Sequence, residues 1–217
     1  MEEFIKPENE NYLKEIDSYL ENYHKSYDGK DVFGFTKNTN RAATQWRSIF
    51  SLPEYGENLE IKRILKSKLE GKNFIDLGAG NLSNLLQKEQ ILILGIKKYI
   101  ACNEKNSDFQ DNNESQTLVE LRNSGIDTTY ITDDILHFTS RLPDNSSNFL
   151  MSAIDDAVLR ENKYWEYLSK ELTRATEEKG IVMDVNSDIR YFLSKEDFKA
   201  IYQQNEEENW HRGGLVI

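Results

Sequence analysis

The spacing of hydrophobic positions changes along the chain at about residue 57. Before that point, apolar side chains recur at helical spacing from Tyr12 to Tyr23, which predicts one amphipathic helix. A second helix is predicted over Ala42–Phe50. The pattern of residues 1–56 contains no clear strand, so we expect this part of the chain to be a helical segment distinct from the remainder.

From residue 57 onward, short apolar runs alternate with helical patterns. A helix is predicted over Leu59–Leu69, and Gly71 ends it, since glycine commonly follows the last turn of a helix. Five strands are predicted at residues 73–77, 98–103, 128–132, 149–154 and 180–185, with helices at residues 83–94, 115–123 and 164–178. Strands that alternate with helices are joined by right-handed crossovers and form a mainly parallel sheet. Residues 57–217 are therefore predicted to form one α/β domain.

The end of the chain has a different pattern. Two β-like runs, Phe198–Gln203 and Trp210–Ile217, flank the acidic residues 206–208, which we interpret as an exposed turn. Two such runs joined by a short polar stretch predict an antiparallel hairpin at the edge of the sheet. With this hairpin the sheet has seven strands.

Composition and charge limit the classes of partner. The chain has 217 residues, enough for one domain, and a formal net charge of −11. Its lysines and arginines are interspersed with acidic residues, whereas nucleic-acid-binding proteins present a basic stripe to phosphates. A nucleic-acid partner is therefore disfavoured. The acidic start of the chain is unlike a signal peptide, and no apolar run reaches the ~20 residues that span a bilayer, so we expect a cytoplasmic protein without a membrane span.

Cysteine and histidine usage gives no sign of a disulfide or a metal site. Cys102 is the single cysteine and lies in an apolar run, so it is predicted to be a buried thiol. His24, His137 and His211 are far apart in sequence and lack the spacing of zinc ligands. We expect no metal ion.

Polar side chains and glycines follow the predicted strands where each one ends. The first strand runs through Asp76 into Gly78-Ala79-Gly80-Asn81, and Glu104 follows the second strand. Asp133 and Asp134 follow the third strand, while Asp155 and Asp156 follow the fourth. Because ligands of such sheets bind beyond the carboxyl ends of the strands, we expect these residues to form the binding site.

The charge of these residues favours one kind of nucleotide-like ligand over another. The dinucleotide fingerprint needs a third glycine at the position of Ser83, which this chain lacks. Several carboxylates would also repel a pyrophosphate. A cofactor that carries a sulfonium, an ammonium and a ribose but no phosphate suits them better, so the residues favour S-adenosylmethionine over NAD.

The stretch Phe74-Ile75-Asp76-Leu77-Gly78-Ala79-Gly80 resembles the first motif of the class I S-adenosylmethionine-dependent methyltransferase family. Residues 100–104 are similar to the family's second-strand motif and residues 131–135 to its segment that brackets adenine, and residues 198–217 resemble its closing hairpin. The resemblance covers residues 57–217 and implies a Rossmann-like fold. It also implies that residues 1–56 form a helical lid, with a dimerisation element as the alternative.

The resemblance implies a role for each matching position. Gly78 and Gly80 would contact the methionine end of the cofactor and Glu104 the ribose hydroxyls. Asp134 with the backbone of Ile135 would contact the adenine amino group, or Asp133 if the alignment shifts by one residue. The complete set of expected cofactor contacts is Arg47, Asp76, Gly78, Ala79, Gly80, Asn81, Glu104, Asp133, Asp134, Ile135, Ala153 and Ile154. The family often has a further glycine where this chain has Leu82, which leaves the loop shape open.

No catalytic base is assigned by the sequence. Candidates are Asp155, Asp156, Tyr23 and His24. The alternative roles are helix capping for the two aspartates, core packing for the tyrosine and a plain surface position for the histidine. The motif of amino-directed DNA and glutamine methyltransferases is absent, and Val185 interrupts the adjacent Asp-Asn pair that metal-dependent catechol-type enzymes need.

The expected function is methylation of an oxygen or nitrogen atom of a small molecule, because the predicted lid is small and the surface acidic. A protein or peptide methyltransferase is the first alternative, since a basic partner would suit that surface. A cofactor-binding module without activity, a nicotinamide-dependent oxidoreductase and an aminopropyl transferase, which shares the fold, are the others.

Overall fold

The computed structural model describes residues 10–27, 51–52, 56–57, 59–79, 85–103, 115–152, 162–185 and 190–202. The helices within these ranges are α1 (Glu10–Tyr27), α2 (Leu59–Leu69), α3 (Leu85–Leu94), α4 (Gln116–Asn123), α5 (Ile135–Ser140), α6 (Asn162–Ala175) and α7 (Lys195–Tyr202). The strands are β1 (Ser51–Leu52), β2 (Gly56–Glu57), β3 (Asn73–Leu77), β4 (Lys98–Asn103), β5 (Asp127–Thr132), β6 (Asn148–Ser152), β7 (Ile181–Val185) and β8 (Arg190–Ser194).

The main sheet of the described residues has six strands in the order β5-β4-β3-β6-β7-β8. All neighbouring pairs are parallel except β7 and β8, which are antiparallel. The five strands predicted from apolar runs are confirmed, with bounds that shift by at most two residues. The strand order reverses direction between β3 and β6, and this is the point where sheets of this class bind ligands.

The prediction of a strand at Phe198–Gln203 is wrong, because residues 198–202 belong to α7. Ser194 caps the start of the helix: the backbone N–H of Asp197 donates to Ser194 Oγ, and the Ser194 hydroxyl donates to the Asp197 carboxylate. Phe198 is fully buried, and Ile201 and Tyr202 follow it at helical spacing. The antiparallel edge strand is instead β8, and Trp210–Ile217 lies outside the described residues.

Other elements differ from the sequence pattern in smaller ways. Helix α5 and strand β8 were not predicted. Residues 1–56 were expected to lack strands, yet β1 pairs with β2 in a short antiparallel hairpin. The expected boundary between residues 56 and 57 falls inside β2. The predicted helix Ala42–Phe50 lies outside the described residues.

Two hydrophobic layers cover the two faces of the sheet. On one face, buried side chains of α2, α3 and α4 pack against Phe74, Tyr99 and Ala101 of the sheet. On the other, α1, α5, α6 and α7 pack against Ile75, Leu77 and further strand residues. Ile16 and Leu20 of α1 belong to this second layer, so α1 shares the core of the sheet.

Helix α1 is the longest of the described helices, at 18 residues, and its outer surface is polar. None of the helices in the described ranges is long and apolar enough to cross a membrane.

Candidate functional site

The carboxyl ends of three adjacent parallel strands meet at one edge of the sheet. Gly78 N–H, just after β3, donates to the carbonyl oxygen of Cys102 in β4 at 2.9 Å. Asp133 N–H, just after β5, donates to the carbonyl oxygen of Asn103 in β4 at 3.0 Å. These bonds fix the turn after β3 and the turn after β5 to the strand that lies between them.

The turn after β3 needs a glycine at its first position. Gly78 has φ +79°, a conformation that strains residues with a Cβ atom. Ala79, which follows it, is fully buried, and its N–H also donates to the Cys102 carbonyl, at 3.3 Å. At Gly78 the chain therefore has no side chain, so a ligand can approach its backbone closely.

Asp76 lies two residues ahead of this turn and is fully buried. Its carboxylate accepts a hydrogen bond from the Tyr99 hydroxyl at 2.8 Å. Asp76 pairs with Ala101 in the strand register, so Tyr99 reaches it from the same face of β4. Asp76 therefore lies as a buried hydrogen-bond acceptor just before the turn.

The two aspartates after β5 have different surroundings. Asp134 is the N-cap of α5, and its Oδ1 accepts from the N–H groups of Leu136 and His137 at 2.8 and 3.0 Å. The buried Tyr164 hydroxyl also donates to Asp134, at 3.0 Å. Asp133 Oδ1 accepts from the Asp134 N–H at 2.9 Å, and its Oδ2 lies 2.6 Å from Nδ1 of His137. Both carboxylates are thus oriented by fixed donors.

The negative charge of this edge is evident in the groups beside it. The pKa of the Cys102 thiol is raised well above its ordinary value, first by burial and then by the carboxylates of Asp133, Asp134 and Asp76. The pKa of Tyr164 is likewise raised by burial and by Asp134. Three carboxylates therefore act together on one small region of the sheet.

A cleft of about 600 Å³ opens between α1 and the start of α5. Its lining is mainly charged: Asp17, Leu20, Glu21, His24, Lys25, Asp133, Asp134 and His137. His24 Nε2 lies 3.4 Å from Asp134 Oδ2, so two histidines far apart in sequence reach the same pair of aspartates. No group of three His, Cys, Asp or Glu side chains within the described ranges is arranged to hold a metal ion.

The structure brings some of the predicted site residues together. Asp76, Gly78, Ala79, Asp133 and Asp134 all lie at this edge, and the partly buried Ile135 is the first residue of α5. Eight predicted residues lie outside the described ranges: Arg47, Gly80, Asn81, Glu104, Ala153, Ile154, Asp155 and Asp156.

The two catalytic candidates on α1 have different positions. Tyr23 is 8% exposed, and its ring packs 5.1 Å from that of Tyr164. His24 is 45% exposed and faces the cleft. Tyr23 therefore has the surroundings of a core residue, and His24 has those of a residue at a binding surface.

Three residues of this region were missed in the sequence. Tyr99 and Tyr164 contact the site aspartates across 23 and 30 residues of chain, and such distant partners leave no local signal. His137 stands four residues after Asp133, the spacing of neighbours on one helix face. That spacing could have identified the pair.

No protein-family model matches the chain, and no curated protein matches it in sequence. Among solved structures, the chain is similar to an S-adenosylmethionine-dependent methyltransferase from Clostridium acetobutylicum. The identity is 12% over 77% of this chain and 58% of that chain, with a TM-score of 0.41. It is also similar to DesVI from Streptomyces venezuelae, with 16% identity over 73% of this chain and 56% of that one and a TM-score of 0.38. The chain thus spans less than two thirds of the length of either structure.

Proposed function

We propose that the chain is an S-adenosylmethionine-dependent methyltransferase that acts on an oxygen or nitrogen atom of a small molecule. The observation that supports this most is the set of carboxylates around a bare glycine turn. Asp76 precedes the turn, and Asp133 and Asp134 follow the strand two places along the sheet. The family resemblance of residues 74–80 points to the same cofactor.

The charge of the sheet edge favours a cationic cofactor over a dinucleotide. A pyrophosphate would lie among carboxylates, whereas a sulfonium and an ammonium group are attracted by them. Burial raises the pKa of the Cys102 thiol, and the nearby carboxylates of Asp133, Asp134 and Asp76 raise it further. A phosphate-bearing ligand is therefore disfavoured.

The chemistry of these residues fits the functional groups of adenosylmethionine. A carboxylate accepts hydrogen bonds from an amino group, so Asp134, or Asp133 in its place, suits the adenine amino group beside the backbone of Ile135. The bare backbone at Gly78 suits the methionine end, and Ala79, Gly80 and Asn81, which follow it in sequence, are assigned to the same end. Glu104 is assigned to the ribose, and Arg47, Ala153 and Ile154 to the remaining contacts. When bound, the cofactor supplies an electrophilic methyl group, while the chain supplies orientation and shields the reaction from water.

The direction of α1 supports a lid role for residues 1–56. Tyr12, near the start of α1, packs against Tyr167, and Tyr23, near its end, packs against Tyr164. Helix α1 therefore runs antiparallel to α6, and its end lies beside Asp134 at the carboxyl edge of the sheet. The chain that leaves α1 starts where the cofactor is proposed to bind.

The methyl acceptor is proposed to meet Asp155 or Asp156, which follow β6. Tyr23 is assigned a packing role, because its ring is buried between α1 and α6. His24 lies beside Asp134, at the proposed adenine end of the cofactor, and this end is distant from the sulfonium. Neither α1 residue is therefore assigned as the base.

Transfer of a labelled methyl group tests this proposal. The purified chain is incubated with methyl-labelled adenosylmethionine and either a metabolite extract or a protein fraction. We expect label in small molecules, and a reduced rate for Asp76→Asn, which keeps the acceptor for Tyr99 but removes the charge. Label in protein alone would support a protein methyltransferase instead. Cofactor binding without transfer to either fraction would indicate a non-catalytic binding module.

A further inference from the structure

Three polar contacts cross from α1 to α5 beside the cleft. Asp17 on α1 accepts a hydrogen bond from Arg141, just after α5, at 2.6 Å. His24 on α1 approaches Asp134, with Nε2 and Oδ2 3.4 Å apart. His137 Nε2 on α5 lies 3.9 Å from Asp17. The contacts of His24 and His137 join an imidazole on one helix to a carboxylate on the other side of the cleft.

Of these three contacts, those made by histidine depend on pH near neutrality, and the one made by arginine does not. Arginine stays charged over the whole range in which proteins fold, so the Asp17–Arg141 contact is constant. Histidine changes its charge near pH 6.5, and its attraction to a carboxylate is strong only in the protonated form. Charged or titratable groups near His24 among the described residues include Asp17, Asp133, Asp134 and His137 across the cleft and along it, Glu21, Tyr23 and Lys25 on α1, and the Tyr164 hydroxyl bonded to Asp134.

The remainder of α1 is held by a different and stronger interaction. Leu13, Ile16 and Leu20 are buried in the core layer, and apolar burial of this kind exceeds the effect of one exposed ion pair. His24 lies one residue beyond Tyr23, whose buried ring packs against that of Tyr164. A change in charge at His24 therefore acts on the end of the helix.

We propose that His24 and Asp134 form a pH-sensitive clasp that fastens the last turn of α1, residues 24–27, to the start of α5. When His24 is protonated, its imidazolium holds this turn against Asp134. As the pH rises through the histidine range, the attraction is lost and this turn opens more often. Opening widens the cleft at Asp133 and Asp134, so the clasp controls access to this end of the sheet edge.

Hydrogen exchange of the full chain at pH 6 and pH 8 tests the clasp, with rates corrected for the intrinsic chemistry of exchange. We expect the peptide over residues 21–27 to open about twofold to fivefold more often at pH 8, the range that an exposed ion pair provides. Peptides over residues 13–20 and over strand β3 should show no such change. A pH effect of equal size in all three peptides would mean that the whole chain loosens, and it would overturn the proposal.

His24→Gln separates charge from shape, because the amide keeps a donor near Nε2 but does not titrate. This variant should behave at both pH values like the wild type at pH 8, apart from a smaller contribution of His137 near Asp17. The matched control is Lys25→Gln, since Lys25 is 73% exposed, lines the same cleft and pairs with Glu21 within α1. It should keep the pH response of the wild type.

A protonated histidine near a helix C-terminus is also stabilised by the helix dipole, and Asp134→Asn separates the two effects. Asparagine retains the N-cap of α5 but removes the carboxylate charge. The clasp predicts that this variant loses most of the pH response of residues 21–27. A full response in Asp134→Asn, or in His24→Gln, would overturn the proposal.

Discussion

At the scale of single residues, donors on several elements hold the carboxylates of the sheet edge in place. Asp134 accepts from two backbone N–H groups and from Tyr164, while Asp76 accepts from Tyr99. Hydrogen bonds to a charged acceptor are among the stronger ones in proteins, so these carboxylates are fixed before a ligand arrives. A fixed charge costs no reorganisation on binding, and this suits a site for a cationic cofactor.

Cys102 provides a test of the negative field at this scale. Its pKa is raised by burial and by three carboxylates, so the thiol stays protonated in the folded chain well above the pH at which a free cysteine ionises. We expect iodoacetamide at pH 8.5 to leave Cys102 unmodified in the native chain and to alkylate it fully in urea, measured by mass spectrometry. Rapid alkylation of Cys102 in the native chain would contradict its burial and the negative field of the carboxylates beside it. The thiol loses its proton in the unfolded chain at a lower pH than in the folded chain. The stability of the fold therefore decreases as the pH rises above the range in which the unfolded thiol ionises.

Some residues of the site could be predicted from their neighbours in the sequence, and others could not. Asp76, Asp133 and Asp134 could be predicted because each stands at the end of an apolar run, and parallel strands bring such ends together. Tyr99 and Tyr164 could not, because their contacts depend on register between strands and on helix packing. Their apolar rings gave the same pattern as ordinary core residues.

At the scale of elements, α6 and the segment from α5 to β6 are joined by one arginine. Arg174 contacts the buried Glu171 at 2.7 Å, Asp144 at 2.6 Å and the carbonyl oxygen of Leu142 at 2.7 Å. It also donates to the last carbonyl groups of α5, at 3.2 and 3.3 Å. The guanidinium therefore holds the C-terminal end of a six-residue helix that is too short to be stable alone.

Arg174→Ala should destabilise the chain strongly, because it leaves the Glu171 carboxylate, 1% exposed, without its ion pair. Removing one partner of a buried pair typically costs about 3–5 kcal/mol. The matched control is Arg63→Ala on α2, whose ion pair with Glu60 is exposed on both sides and contributes less than about 1 kcal/mol. Urea unfolding followed by circular dichroism measures both. A loss of equal size in the two variants would contradict the role assigned to Arg174.

Helices and strands with strong apolar patterns were predicted from the sequence, and those that depend on caps or distant contacts were not. Strands β3 and β4 and helix α2 have the bounds predicted, because their apolar runs are strong and end at glycine or charged residues. Helix α5 was missed because its stability comes from the Asp134 cap and from Arg174 rather than from periodicity. The strand predicted at Phe198–Gln203 was wrong because the aromatic residues suggested a strand, whereas the Ser194 side chain caps the start of a helix.

At the scale of the whole molecule, the strand order brings the residues of the candidate site to one edge of the sheet. Residues that follow β3 and β5 are separated by more than 50 positions in sequence, yet hydrogen bonds to β4 hold them at one edge. The mostly parallel six-stranded sheet with helices on both faces confirms the α/β class predicted from alternating elements. Helix α1 packs into one of these layers, and its end borders the same edge.

The central claim is that this edge binds a cationic, phosphate-free nucleoside through its carboxylates, and calorimetric titration tests it most directly. S-adenosylmethionine, S-adenosylhomocysteine and NAD are titrated into the wild type and into Asp76→Asn, which keeps the shape and the Tyr99 contact of the side chain. The account predicts binding of both adenosyl compounds and none of NAD. It also predicts a loss of at least about tenfold in affinity for adenosylmethionine in the variant, the effect of one charged hydrogen-bond partner. Binding of NAD in preference to adenosylmethionine, or equal affinity in the two chains, would contradict it.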